Sequence, residues 1–176
     1  MKLVFVGGPS RSGKSRISKD AANATGFDHV DLDKVESIRS LRSMTEGPKK
    51  NEAMKQAAAD CVSGLTKNSI VEGSQLWPDD IQGYGLIEKL HACLFLGYAD
   101  IKPEEKLKQL EERGLEDARH ISEQSHNDQL QMLGRYIERS GKMRDIAAKH
   151  GIDYVDFSNW EHYEAKKDEL ISKILG

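Results

Sequence analysis

The stretch Gly8-Pro9-Ser10-Arg11-Ser12-Gly13-Lys14-Ser15 carries the residue types and spacing best suited to chemistry in this sequence. It fits G-x-x-x-x-G-K-[ST]. Glycines let backbone N–H groups turn inward and approach phosphate oxygens without a side-chain clash. Lys14 can then reach the outer phosphates of a nucleotide, and the Ser15 hydroxyl can ligate Mg²⁺. The plainer reading is a flexible connection between a strand and a helix. The glycines do not fit the dinucleotide pattern G-x-G-x-x-G. Two further carboxylates, Asp31 and Asp33, close a short run, Phe27-Asp28-His29-Val30-Asp31-Leu32-Asp33, and a third, Glu72, ends another, Ser69-Ile70-Val71-Glu72.

These groups must be positioned by regular elements, and the hydrophobic pattern supplies them. Lys2–Gly7 is a short apolar run before glycines and predicts a buried strand. A helix follows from Lys14 to Thr25, stopped by Gly26. The aspartates end a second strand. Val35, Ile38 and Leu41 recur at three-residue steps and predict a helix. Residues 44–51 are polar with a Gly-Pro pair, and read as a loop before another helix. Ser69–Ser74 predicts a third strand, residues 75–85 look irregular, and His91–Tyr98 predicts a fourth strand. Pro103 and two glutamates open a helix. Residues 114–127 are polar without a clear period. A helix with Leu130, Leu133 and Ile137 on one face, a fifth strand from Ile152 and an amphipathic final helix complete the chain.

Strands alternating with helices predict a three-layer α/β/α domain with a five-stranded parallel sheet, in the order 2-3-1-4-5. Ligands of such sheets sit beyond the carboxyl ends of the strands. The glycine loop and the Asp31/Asp33 pair both fall at such ends and can share one cleft.

The 176 residues suit one domain, residues 1–176. Charged residues make up 31% and hydrophobic ones 38%, and the net charge is −3, which gives the whole chain no attraction to nucleic acid or to an anionic membrane. Cys61 and Cys93 have no metal or redox spacing and read as thiols in a reducing cytosol. A cytoplasmic protein acting on a small molecule, as a monomer or homodimer, is expected.

Beyond the glycine loop, the sequence resembles the small P-loop kinases of the shikimate-kinase and nucleoside-monophosphate-kinase group. Gly26-Phe27-Asp28-His29-Val30-Asp31-Leu32-Asp33-Lys34-Val35-Glu36 is similar to the shikimate-kinase stretch in which D-x-D follows a short strand. On that resemblance Asp31 serves the Mg²⁺ shell and Asp33 touches the acceptor hydroxyl. Arg113 would lie against adenine, and Arg119 would fold over the phosphates from a lid at about 114–127. Arg139 would be the substrate-side arginine, with Arg135 and Arg144 in reserve. An acceptor-binding insert is expected at about 44–66, where Lys49 or Lys50 stands in for the family's arginine. Solvated helix faces are the alternative for each arginine. Glu72 touches metal or acceptor, or is a structural carboxylate bonded to the P-loop helix. Trp160 follows the fifth strand, where these folds hold adenine, and reads as a core or staple residue.

The resemblance implies an ATP- and Mg²⁺-dependent phosphotransferase acting on a small hydroxyl-bearing acceptor. A nucleotide kinase and a regulatory module that hydrolyses ATP slowly are the alternatives. No basic-aromatic track for a polynucleotide is visible. The family's glycine triplet after the third strand is missing, and lysines stand in the pocket half of the chain. The expectation drawn from this is a neutral or cationic acceptor, and not shikimate.

Overall fold

A computed structural model describes residues 1–43, 47–112 and 124–175. Five strands form one wholly parallel sheet: β1 (Leu3–Gly7), β2 (Asp28–Asp31), β3 (Ser69–Gly73), β4 (Ala92–Gly97) and β5 (Asp153–Asp156). Their order is β2-β3-β1-β4-β5, as the alternation of elements predicts. All of β1 is buried, which is why it reads as a continuous apolar run and not an alternating one.

Successive side chains of β1 point to opposite faces and so divide the core in two. Leu3 and Phe5 face one layer, with Ile38 of α2 (Glu36–Arg42), Ala58, Ala59 and Val62 of α3 (Pro48–Gly64), Ile81 of α4 (Pro78–Gly83), and Met143 and Ala147 of α6 (His126–Lys149). Val4 and Val6 face the other, with Ile17, Ala21 and Ala22 of α1 (Lys14–Thr25) and Leu170 of α7 (Tyr163–Leu175). The helix α5 (Pro103–Glu112) packs on α6 through Leu107, Met132 and Leu133.

Three elements differ from expectation. Asp33 is not in a strand: β2 ends at Asp31, and Leu32–Lys34 form a 3₁₀ turn. Asp31 causes this, because its carboxylate accepts a hydrogen bond from Asp33 N at 3.0 Å and caps the turn. Residues 78–83 are helical, since Pro78 starts α4 and Asp80 accepts from Trp77 N at 2.8 Å. Within the expected insert, Pro48–Gly64 form α3, so that residues 48–51, expected in a loop, are already helical. Of the expected lid, Gln124–Asn127 are described, and His126 and Asn127 already belong to α6. Residues 113–123, with Arg113 and Arg119, lie outside the described residues.

Candidate active site

The loop between β1 and α1 runs from Gly8 to Gly13. Gly13 has φ 87°, in the left-handed region, and caps α1 with no side-chain bond. A Cβ at Gly13 would meet the Trp160 ring at 2.6 Å, and one at Gly8 would meet the Leu96 carbonyl oxygen at 2.3 Å. Both positions therefore need glycine, because the loop's backbone packs closely against Trp160 on one side and the end of β4 on the other. Pro9 and Ser12 are buried, while Ser10 and Arg11 are half-buried. Tyr98 donates its hydroxyl to the Ser10 carbonyl at 2.7 Å and ties the loop to the end of β4. One such bond is worth about 1 kcal/mol.

Lys14 is more enclosed than its expected reach toward phosphate suggests, with 8% of its surface exposed. Burial lowers its pKa, and the charges of Glu72, Asp33 and Asp31 act in the opposite direction. Lys14, the first helical residue, thus feels the charges of three carboxylates. The N-terminus of α1 supplies partial positive charge to an anion at the loop.

Glu72 makes the bond to the P-loop helix that its structural alternative expects. Its carboxylate accepts from the Ser15 hydroxyl at 3.0 Å, and it is 2% exposed. Burial raises its pKa, offset in part by the Ser15 bond and by Lys14. Its other oxygen lies 3.8 Å from His29 Nε2, and neither atom has a hydrogen-bond partner among the described residues. Burial also lowers the His29 pKa, which favours the neutral ring. The Glu72 carboxylate and the Ser15 hydroxyl are oxygen donors of the kind that Mg²⁺ prefers, and one carboxylate oxygen is unpartnered among the described residues. Among the described residues no group of three or more His, Cys, Asp or Glu could hold a metal unaided. Asp31 is partly committed elsewhere, to Asp33 N and to Lys34 Nζ at 3.2 Å.

A cavity of about 350 Å³ opens beside Asp33's partners, lined by Arg42, Asn51, Met54, Lys55, Ser74, Gln75, Trp77 and Arg139. Arg42 NH2 and Gln75 Nε2 both donate to Asp33 Oδ1. The Arg139 guanidinium lies over the Trp77 ring, 5.5 Å from its centroid. Lys55 pairs with Asp80 at 2.7 Å and fixes α4, and hence Trp77, against α3. Arg139, expected on the substrate side, lies in the lining of this cavity. Lys49 and Lys50, the lysines expected in place of the family's arginine, do not line this cavity, whereas Arg42 does. Lys50 instead donates to the Arg42 carbonyl at 2.9 Å, and Lys49 is exposed.

The expectation of a neutral or cationic acceptor rests on lysines in the pocket half of the chain, and of these Lys55 lines the cavity. Two arginines line the cavity, and Glu72 is turned onto Ser15 and is not part of its wall. Arg144 is committed to a two-pronged pair with Asp100 at 2.9 and 3.0 Å. Arg135 is exposed and lines neither this cavity nor the one beside Trp160.

On the other side of the loop, Trp160 stacks on Tyr163 with ring centroids 4.6 Å apart. It packs against Phe157 and covers Gly13, the staple role expected of it, and also lines a cavity of about 450 Å³ with Gln109 and Asn159. Gln109 donates to the Ser158 carbonyl at 2.8 Å, and its Oε1 is buried with no partner among the described residues. Sequence reasoning missed Arg42, Gln75, Trp77 and Gln109. The available signal was position: Arg42 ends the helix that follows D-x-D, and Gln75 lies two residues beyond β3.

A scan against protein-family models finds no match, and a search of curated proteins finds none. Solved structures do match over nearly the whole chain. They include a shikimate kinase from Bacteroides thetaiotaomicron, at 14% identity over 96% of both chains with a TM-score of 0.64. A gluconokinase from Sinorhizobium meliloti 1021 matches at 17% identity over 99% of this chain and 89% of its own, with a TM-score of 0.57. The YorR protein from Bacillus subtilis, solved with phosphorylated GDP, matches at 15% identity over 99% and 94%, with a TM-score of 0.55. The fold is that of the small P-loop kinases, as the resemblance of the sequence implies. No helix among the described residues is long and apolar enough to cross a membrane.

Proposed function

We propose that the protein is an ATP- and Mg²⁺-dependent kinase that phosphorylates a hydroxyl group of a small acceptor. The observation that carries this reading is the junction of two sites at one sheet edge. Lys14 in the phosphate loop lies within the electrostatic reach of Asp33, and Asp33 is bonded to Arg42 and Gln75 in the wall of a separate cavity. A module that only bound a nucleotide would have no use for the second cavity.

In this reading residues 8–15 hold the phosphates, and the base lies toward Trp160, where the Gln109 oxygen can accept from an amino group. Ser15 and Glu72, with Asp31 behind them, would hold Mg²⁺, which when bound neutralises charge on the phosphate oxygens. The acceptor oxygen forms a bond to the γ-phosphorus while the bond from that phosphorus to the β–γ bridging oxygen breaks. The hydroxyl proton passes to Asp33, and ADP leaves. Lys14 spreads the transferring charge, and Arg119 and Arg113 are assigned to the γ-phosphate and the adenine on the sequence resemblance alone. Arg42 and Arg139 favour an acceptor with an anionic group, because a guanidinium offers a carboxylate or phosphate a planar fork.

The test is ADP release from Mg-ATP across a panel of hydroxyl compounds: sugars, hydroxy acids including shikimate and gluconate, nucleosides, nucleotides and amino alcohols. The reading expects at least one compound to stimulate ADP release well above that with water alone. Uniform slow hydrolysis across the panel would instead support the regulatory module.

A further inference from the structure

Gln75 stands two residues past β3, and its side chain folds back toward the 3₁₀ turn that carries Asp33. Its orientation is fixed at both ends. Oε1 accepts from Ser74 N at 3.0 Å, so Nε2 is the end that faces Asp33. Nε2 then donates to Asp33 Oδ1. The side chain is 7% exposed, so these bonds are shielded from water. Gly73 makes room for the fold-back: a Cβ there would sit 2.4 Å from Gln75 Oε1 and 2.8 Å from Leu32 Cδ1.

We propose that Gln75 is a positioning residue that aims the Asp33 carboxylate, together with Arg42, so that Oδ2 is presented to the acceptor hydroxyl. Both donors fall on Oδ1. A carboxylate gripped on one oxygen by two donors from different elements cannot rotate freely about its Cβ–Cγ bond. Its second oxygen is then the one that accepts the proton. Arg42 alone would not do this. Its pair with Asp33 is half-exposed on both sides, and such pairs are weak and mobile. The Gln75 bond is the more buried of the two, and it reaches Asp33 from just beyond β3, an interior strand of the sheet, while Arg42 reaches it from the end of a seven-residue helix.

This rests on the kinase reading of Asp33, and the test separates the two. The probe is γ-labelled ATP with Mg²⁺ and a small-metabolite extract, with the labelled organic product followed to low turnover in wild type, Gln75→Met, Gln75→Glu, Asp33→Asn and the Asp33→Asn/Gln75→Met double variant. Gln75→Met keeps the length and removes the donor. Gln75→Glu keeps the acceptor for Ser74 N and replaces the donor with a second carboxylate. Transfer should fall about tenfold or more in both, as for loss of a bond to a charged group. ATP affinity by calorimetry and melting temperature should change little. In the Asp33→Asn background, Gln75→Met should have no further effect, because a positioning residue has nothing left to position. A merely structural Gln75 would give the same loss in both backgrounds, and unchanged transfer in both single variants would equally overturn the proposal. If Asp33→Asn itself transfers at the wild-type rate, the role of Asp33 fails, and the proposal with it. If Asp33→Asn is impaired and the Gln75 variants are not, only the proposal fails.

Discussion

At the residue scale the site is a balance of buried charge. Lys14 is enclosed among Glu72, Asp31 and Asp33, so each carboxylate is partly answered by one cation. Lys14→Ala is expected to lower ATP affinity by about tenfold or more and to abolish transfer, since a buried charge–phosphate contact is lost. Calorimetry with ATP checks this, and unchanged affinity would remove the phosphate assignment of the loop. Glu72 makes an opposite prediction for stability. Its folded pKa is raised above 4.5, so the folded state binds more protons than the unfolded state in the window from 4.5 up to the raised value. Stability is therefore lost as pH rises through that window. Glu72→Gln keeps an acceptor for Ser15 without the buried charge. It should raise the melting temperature at pH 7 without metal, and weaken Mg-ATP binding. A lower melting temperature would show that the ionised carboxylate is stabilising.

At the element scale, the loop is shaped by what packs on it. Gly13 is held under Trp160, which the stack with Tyr163 keeps in place. Gly13→Ala introduces both a strained φ and a contact at 2.6 Å, and should cost more than about 1 kcal/mol in urea denaturation. Adding Trp160→Ala should relieve the contact and leave the strain, so the Gly13→Ala cost in that background should be smaller but not zero. Equal costs in both backgrounds would mean that Trp160 does not press on the loop. The sequence already carried the strand–loop–helix unit, because an apolar run, closely spaced glycines and a Gly26 stop each act locally. It did not carry the pairing of Arg42 with Asp33, nine residues apart, which depends on where α2 ends. Nor did it carry α4, a helix of six residues too short for a period, although Pro78 and Asp80 marked its start. Asp33 was legible as a candidate site residue but not as a turn residue, since the Asp31 cap competes with continuing the strand.

At the scale of the whole molecule, the sheet order follows from β1 lying between β3 and β4. That arrangement brings the loop after β1 beside the ends of β3 and β4. Glu72 and Gln75 thus arrive on one side of Lys14, and Tyr98 on the other. Fold similarity to kinases at 14–17% identity fixes this arrangement and leaves the acceptor to the cavity's own chemistry. The two arginines of the cavity wall were legible only in part. Arg139 lies on a long helix with a clear apolar face, whereas Arg42 closes a short helix of seven residues. The central claim is that the γ-phosphoryl group reaches a small acceptor. The most direct measurement is incubation of the pure protein with γ-labelled ATP, Mg²⁺ and a small-metabolite extract, with labelled products resolved by chromatography and mass. The account predicts a labelled organic product that forms with the wild type and is absent with Lys14→Ala and with Asp33→Asn. Label found only in inorganic phosphate, at the same rate with and without the extract, would contradict it.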